Sequence, residues 1–94
     1  MFELTGFQRD LLYTTAGLTQ PSGQDIKDHL TEITTHSNVN HGRLYPNLDV
    51  LVERGYLEKG DIDRRTNYYR ITQEGATALT DRRAWEDDQV VLRE

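Results

Sequence analysis

The fold of this chain is decided by residues 42–57, GRLYPNLDVLVERGYL, and residues 65–75, RTNYYRITQEG. In the first stretch leucines recur at helical spacing, and Gly55 follows where a left-handed backbone ends a helix. Segments 56–59 and 68–71 are short and rich in tyrosine, and the loop between them is polar, which is typical of a two-stranded hairpin. The sequence therefore predicts a helix that leads directly into a β-hairpin.

A polar capping residue precedes each of four helical segments. These caps are Thr5, Ser22, Asn40 and Thr72. The first two are followed three residues later by Gln8 and Asp25, the spacing of a capping box. The fourth helix is expected to run to about Val91.

The order helix, helix, short turn, helix, hairpin, helix is that of a winged helix-turn-helix domain. We therefore predict a mainly α fold with a small β-hairpin and a final C-terminal helix. Since 94 residues are too few for two domains, residues 1–94 are expected to form one. The winged-helix core is predicted over about residues 5–72, and the C-terminal helix over about residues 73–92.

The composition excludes several kinds of site. The chain has no Cys, so disulfides, thiolate metal sites and redox dithiols are impossible. The longest apolar run is three residues, and the first residues lack a secretory pattern, so we expect a soluble cytoplasmic protein that does not enter membranes. No phosphate-binding glycine loop, catalytic triad or metal-ligand spacing is present. We expect neither enzyme activity nor a cofactor or metal.

One motif carries a family resemblance. It reads Leu-Tyr-Pro-x-Leu-x-x-Leu-x-x-x-Gly-Tyr-Leu from Leu44, followed by Tyr-Tyr-x-Ile-Thr-x-x-Gly from Tyr68. Over about residues 5–80 the chain resembles the PadR family of transcriptional regulators. The resemblance implies a homodimeric DNA-binding repressor or activator, whose C-terminal helix, sometimes with the first helix, makes the dimer. One helix follows the hairpin, so the chain is similar to the short branch of that family.

The third helix supplies the candidates for base contacts. Asn40, Arg43 and Asn47 are interpreted as a polar face opposite the leucines, and Arg and Asn can form bidentate hydrogen bonds with guanine and adenine. The alternative is an ordinary solvated face. His41 is expected either to contact DNA or to have no role. Tyr45 is expected either to pack beside Pro46 or to point its hydroxyl at a phosphate.

The hairpin loop supplies two adjacent arginines, Arg64 and Arg65, which suit the negative potential of a narrow minor groove. The alternative is that they pair with Asp61 and Asp63 on the surface. Arg70 is expected to add a phosphate contact, as are side chains of the second helix and the following turn. The predicted DNA-binding set is Ser22, Thr35, Asn38, Asn40, His41, Arg43, Tyr45, Asn47, Arg64, Arg65 and Arg70.

Trp85, the single tryptophan, lies on a sparsely apolar fourth helix. It shares one helical face with Ala78 and Leu92, and we interpret this face as a dimer contact, because so short a chain has little core to cover it. The alternative is that Trp85 packs on its own first helix. The predicted interface set is Phe2, Leu4, Phe7, Ala78, Trp85 and Leu92.

The net charge of −5 is unevenly distributed. Residues 38–73 carry six Lys/Arg against five Asp/Glu, whereas residues 1–37 carry two against five and residues 74–94 three against six. Nine of the eleven basic residues are Arg. This acidic, Lys-poor composition is similar to that of proteins from salt-loving microbes, and a haloarchaeal source is our hypothesis.

Two functions fit these observations. The first is a sequence-specific, homodimeric regulator, expected to be a repressor, that binds double-stranded DNA. The second is a winged-helix module that binds another protein through the same polar helix face. The acidic composition favours the second, whereas the Asn and Arg side chains and the arginine loop favour the first. A third, weaker alternative is a ligand-sensing regulator, because the resembled family includes effector-responsive members, but with one helix after the hairpin the sequence shows no enclosed pocket and leaves any small-molecule effector unknown.

Overall fold

The computed structural model describes residues 1–33 and 39–90. Its helices are α1 (Gly6–Ala16), α2 (Gly23–Ile33), α3 (His41–Glu53) and α4 (Gln73–Gln89), and its strands are β1 (Leu57–Asp61) and β2 (Asn67–Ile71). The predicted mainly α fold with a small hairpin is confirmed, in the order of a winged helix-turn-helix.

The helices begin at their predicted caps. In α1, the Thr5 hydroxyl oxygen accepts from the Gln8 backbone N–H at 3.1 Å, and Gln8 Oε1 accepts from the Thr5 N–H at 3.1 Å. In α2, Ser22 and Asp25 form the same reciprocal pair at 3.0 and 3.1 Å. Each pair satisfies backbone donors that a helix start leaves open. The caps of α3 and α4 are Asn40 and Thr72.

A short segment of chain just before α2 pairs with β2 of the hairpin. β1 and β2 pair antiparallel along their whole length. The Tyr69 N–H donates to the Pro21 carbonyl at 2.8 Å, and Ser22 forms a β-bridge with Tyr68. The hairpin, or wing, is thus tied to the start of α2, a contact between distant segments that the sequence analysis did not predict.

The turn after α3 needs glycine. Gly55 has a φ of +83°, which places it in the left-handed region as predicted. The Thr72 hydroxyl donates to the Gly55 carbonyl at 2.6 Å and also accepts from the Gly75 N–H at 3.0 Å. One side chain therefore joins the end of α3 to the start of α4.

A single apolar core lies between the helices and the wing. Its buried residues are Leu4, Phe7, Leu11, Leu12, Ile26, Leu30, Val39, Leu44, Leu48, Leu51, Leu57, Tyr69 and Leu79. The assignment of Leu4 and Phe7 to a dimer interface is wrong, because they are only 4 % and 8 % exposed and pack within their own chain. Across the two described ranges, no helix combines the length and apolar character needed to span a bilayer.

Candidate nucleic-acid interface

The first turns of α3 carry polar side chains on two flanks. Arg43 and Asn47 lie on the flank toward α1, while His41 and Tyr45 lie on the flank toward α2. The prediction that Asn47 faces away from the leucines is wrong, because a residue next to Leu48 and three after Leu44 lies beside the apolar stripe. Asn47 is accordingly half-buried, whereas Arg43 is exposed.

The α1-facing flank is held by a short chain of contacts. The Arg43 guanidinium lies 3.9 Å from the centroid of the Phe7 ring. Asn47 Nδ2 donates to the Arg43 carbonyl oxygen at 2.7 Å, and Gln8 Nε2 donates to Asn47 Oδ1 at 3.0 Å. Arg43 therefore has a defined position on an aromatic face, and the carboxamide of Asn47 is engaged at both ends.

The other flank packs against α2. His41 and Tyr45 meet edge to face with ring centroids 5.5 Å apart. The Tyr45 ring covers Gly23, where an added Cβ would lie 2.5 Å from Tyr45 Cε1. Tyr45 is thus seated on the first turn of α2 and remains partly exposed. Asn40 uses its Oδ1 to cap α3, accepting from the Arg43 N–H at 2.9 Å.

A groove of about 210 Å³ opens between α2, α3 and the wing. Its lining residues are Ser22, Gly23, Gln24, Tyr45, Arg65, Thr66 and Asn67. Three of the predicted DNA-binding residues, Ser22, Tyr45 and Arg65, meet here although they are far apart in sequence. The first turn of α2, capped by the Ser22 and Asp25 pair, directs the positive end of a helix dipole to the same place.

Asp63 fixes the backbone of the wing loop rather than neutralising the charge of the loop arginines. Asp63 Oδ1 accepts from the backbone N–H groups of Arg65 and Thr66, each at 2.9 Å. These hydrogen bonds, chiefly that from Arg65, lower the pKa of the Asp63 carboxyl. Arg64 and Arg65 are exposed, and within residues 1–33 and 39–90 no ion pair engages their guanidinium groups.

Arg70 is placed differently from the wing-tip arginines. It lies directly across the hairpin from Glu58 and forms an ion pair with that carboxylate. Glu58 partly neutralises the charge of Arg70. The structure therefore does not offer Arg70 as a free cation for the predicted phosphate contact. Two other residues of the predicted DNA-binding set, Thr35 and Asn38, lie outside the described residues.

The geometry agrees with a comparison to known protein families. The family model described as the transcriptional regulator PadR-like family matches residues 12–81. The chain belongs to this family. Comparison with curated proteins gives no match.

Solved structures similar to this PadR-like chain include RosR of H. salinarum, grown from NaBr, with 42 % identity and a TM-score of 0.87. That match covers 98 % of this chain and 82 % of RosR. A complex described as hsRosR-S1 has 42 % identity and a TM-score of 0.88, and it covers 98 % of this chain and 80 % of the other. The similarity therefore extends through α4, beyond the stretch that the family model matches.

In this PadR-like chain the other residues of the predicted dimer interface differ in their surroundings. Phe2 and Trp85 contact each other in the same protomer, with ring centroids 5.0 Å apart, yet stay 57 % and 41 % exposed. Trp85 thus packs on the segment before α1, close to the predicted alternative in which it packs on the first helix of its own chain. Ala78 is half-buried and lines a groove with Phe2. Leu92 lies outside the described residues.

Sequence reasoning missed two roles in the PadR-like fold. The capping-box pattern predicts one role for Gln8, but its second hydrogen bond spans 39 residues to Asn47 and leaves no local pattern. The motifs do not predict a role for Arg82, whose guanidinium lies 4.6 Å from the Trp85 ring centroid and 5.0 Å from that of Phe2. The spacing of Arg82 and Trp85, three apart on one helix, was the only available signal for it.

Proposed function

We propose that this PadR-like chain is a homodimeric repressor that binds double-stranded DNA sequence-specifically. α3 inserts into the major groove, and the wing contacts the flanking backbone or the minor groove, as in related docking arrangements. The observation that carries the proposal is the groove at which Tyr45 of α3, the first turn of α2 and Arg65 of the wing meet. A phosphate backbone following this groove would bring α3 and the wing onto one duplex.

The roles of individual residues follow from their exposure and partners. Arg43 is the proposed base reader, because the residue is exposed and a guanidinium suits guanine O6 and N7. Arg64 and Arg65 enter the minor groove at the wing tip. Asn40, His41, Tyr45 and Ser22 contact phosphates at the two flanks of α3, joined by Thr35 and Asn38. Arg70 and Asn47 contribute less, since both are already engaged within the chain.

Several further properties belong to the same proposal. Residues 1–94 act as one domain, with α4 extending from the winged core to meet a second copy through Trp85. A dimer bound at a promoter would compete with the transcription machinery for the site, which supports repression. The protein works in the cytoplasm, where its DNA target is, and its acidic surface suits a salt-rich interior.

The test is DNA binding by the wild type, Arg43→Ala and Arg64→Ala/Arg65→Ala. Binding-site selection from a random duplex pool, in molar KCl and at lower salt, should enrich a sequence with two related half-sites. Arg43→Ala should weaken binding to that duplex about tenfold or more. The double wing variant should weaken binding by a similar factor, and Arg83→Ala on α4 serves as the control for Arg43→Ala, because it removes one positive charge elsewhere.

The results distinguish the DNA-binding regulator from the protein-binding module. A reporter gene placed behind the selected duplex should be expressed less with the wild type than with either binding variant. If no sequence is enriched at any salt concentration and all variants bind DNA equally poorly, the regulator proposal fails. The alternative, a module that binds protein, is favoured by the exposed carboxylates of Asp49 and Glu53 on the outward side of α3.

A further inference from the structure

We propose that Phe7 and Gln8 of α1 are positioning residues for DNA readout, which act by holding Arg43 and Asn47 of α3 in place. This inference rests on the proposed function and assigns its specificity to a contact between two helices. Neither Phe7 nor Gln8 reaches outward as a DNA contact in its own right, since Phe7 is buried and Gln8 is half-buried.

The first step concerns the Arg43 side chain. An exposed arginine samples many rotamers, and fixing it against a base costs conformational entropy. Here the guanidinium already lies 3.9 Å from the Phe7 ring centroid, an arrangement that the ring quadrupole favours. The planar guanidinium can stack on the ring while its N–H groups stay free at the edges. Phe7 therefore reduces the ordering needed when Arg43 meets a guanine.

The second step concerns the backbone beneath Arg43. Asn47 Nδ2 donates to the Arg43 carbonyl oxygen at 2.7 Å, and Asn47 Oδ1 accepts from Gln8 Nε2 at 3.0 Å. Gln8 is itself held at its other end, because Gln8 Oε1 accepts from the Thr5 N–H at 3.1 Å. The start of α1 is thus connected through two carboxamides to the turn of α3 that carries Arg43.

The third step concerns Asn47. Its two amide atoms face protein partners, and the residue is half-buried. We therefore assign Asn47 to bracing Arg43 rather than to reading adenine. Arg43 is then the residue of this flank that reads a base, and contacts with α1 determine the direction of its guanidinium.

The experiment compares two variants that disturb the same cap. Gln8→Ala removes the capping box and the bond to Asn47, whereas Thr5→Ala weakens the capping box and leaves Gln8 facing Asn47. Phe7→Leu keeps an apolar side chain and removes the aromatic face. Affinities are measured for the duplex that the wild type selects and for a scrambled duplex of equal length, and thermal melting verifies folding.

Gln8→Ala and Phe7→Leu should each lower the preference for the selected duplex about two- to fivefold, with little change on the scrambled duplex. Thr5→Ala should keep the wild-type preference. In an Arg43→Ala background the two substitutions should cause no additional loss of preference, because their effect passes through Arg43. That dependence is a readout that a merely structural role would not produce.

Several results would overturn the inference. One is a Gln8→Ala variant that discriminates as well as Thr5→Ala, and this comparison decides the matter even if Phe7→Leu does not fold. Another is that Gln8→Ala or Phe7→Leu lowers the preference for the selected duplex as much in the Arg43→Ala background as in the wild type. If the wild type selects no duplex at all, the proposed function itself fails. If the wild type selects a duplex and Gln8→Ala binds that duplex equally well, only the present inference fails.

Discussion

The arginines of the interface differ in what surrounds each guanidinium. Arg70 faces Glu58 across the hairpin and is paired. Arg64 and Arg65 extend from a loop whose Asp63 carboxylate is occupied by backbone N–H groups. Arg43 rests on the Phe7 ring. The geometry of neighbouring groups, rather than residue type, therefore decides which positive charge is available to DNA.

Glu3 gives a prediction at the same scale. Its carboxylate accepts a hydrogen bond from the Met1 amino group at 2.8 Å, which is the main cause that lowers the Glu3 pKa to about 2. Its own backbone N–H and the Tyr56 hydroxyl add to this effect. A lowered pKa stabilises the fold above the unfolded value of 4.5, and this contribution is lost as the pH falls from 4.5 toward 2.

We expect Glu3→Gln to lower the free energy of unfolding near neutral pH by about 1 kcal/mol or less, because solvent screens so exposed a group. The difference from wild type should shrink in urea titrations as the pH is lowered from about 5 toward 2–3. Glu53→Gln on α3 is the charge-matched control. A difference between wild type and Glu3→Gln that stays constant over this range would refute the assignment.

At the scale of elements, α4 is the helix with the least support from its own chain. Only Gly75 and Leu79 of its described residues are buried. Farther along the helix, Trp85 and Phe2 stay largely exposed around Arg82, whose side chain is only 13 % exposed. An aromatic pair around a nearly buried arginine is the kind of surface that a second copy of the chain would cover.

Trp85→Ala should therefore shift the proposed dimer toward monomer, raising its dissociation constant about tenfold or more. Light scattering over a dilution series measures the change. Asp87→Ala, two residues away on the same helix, is the control and should behave like wild type. A Trp85→Ala protein with the wild-type mass at every concentration would place the dimer contact elsewhere.

At the scale of the whole molecule, the net charge of −5 opposes both folding and DNA binding at low ionic strength. Ion pairs such as Lys59 with Asp49 at 3.9 Å and Arg82 with Glu86 at 3.5 Å leave this net charge unchanged and contribute little stability. Exposed carboxylates at Asp87 and Asp88 lie next to Glu86 on α4. Salt screens this repulsion between like charges.

The melting temperature should therefore rise by several degrees between low salt and molar KCl. Asp87→Asn/Asp88→Asn should melt higher than wild type at low salt and gain less from added KCl. Thermal melts followed by circular dichroism test both expectations. Melting curves that do not move with salt would contradict the hypothesis of a salt-loving host.

Local patterns predicted most of the fold. The caps at Thr5, Ser22, Asn40 and Thr72, the glycine at position 55 and the hairpin each depend on residues close together in the chain. A capping side chain reaches only two or three residues along the chain, and a left-handed backbone follows from one glycine. The element order and the family resemblance therefore followed from the sequence.

The arrangement of the candidate site depended instead on contacts between distant residues. The stacking of Arg43 on Phe7, the Gln8–Asn47 hydrogen bond and the meeting of Phe2 with Trp85 join segments 36 to 83 positions apart. No helical or strand period records such neighbours, because they arise only when the core closes and sets the angle between packed helices. Sequence identified the arginines that suit DNA, and tertiary packing determined which of them rest on a ring, which form an ion pair and which stay exposed.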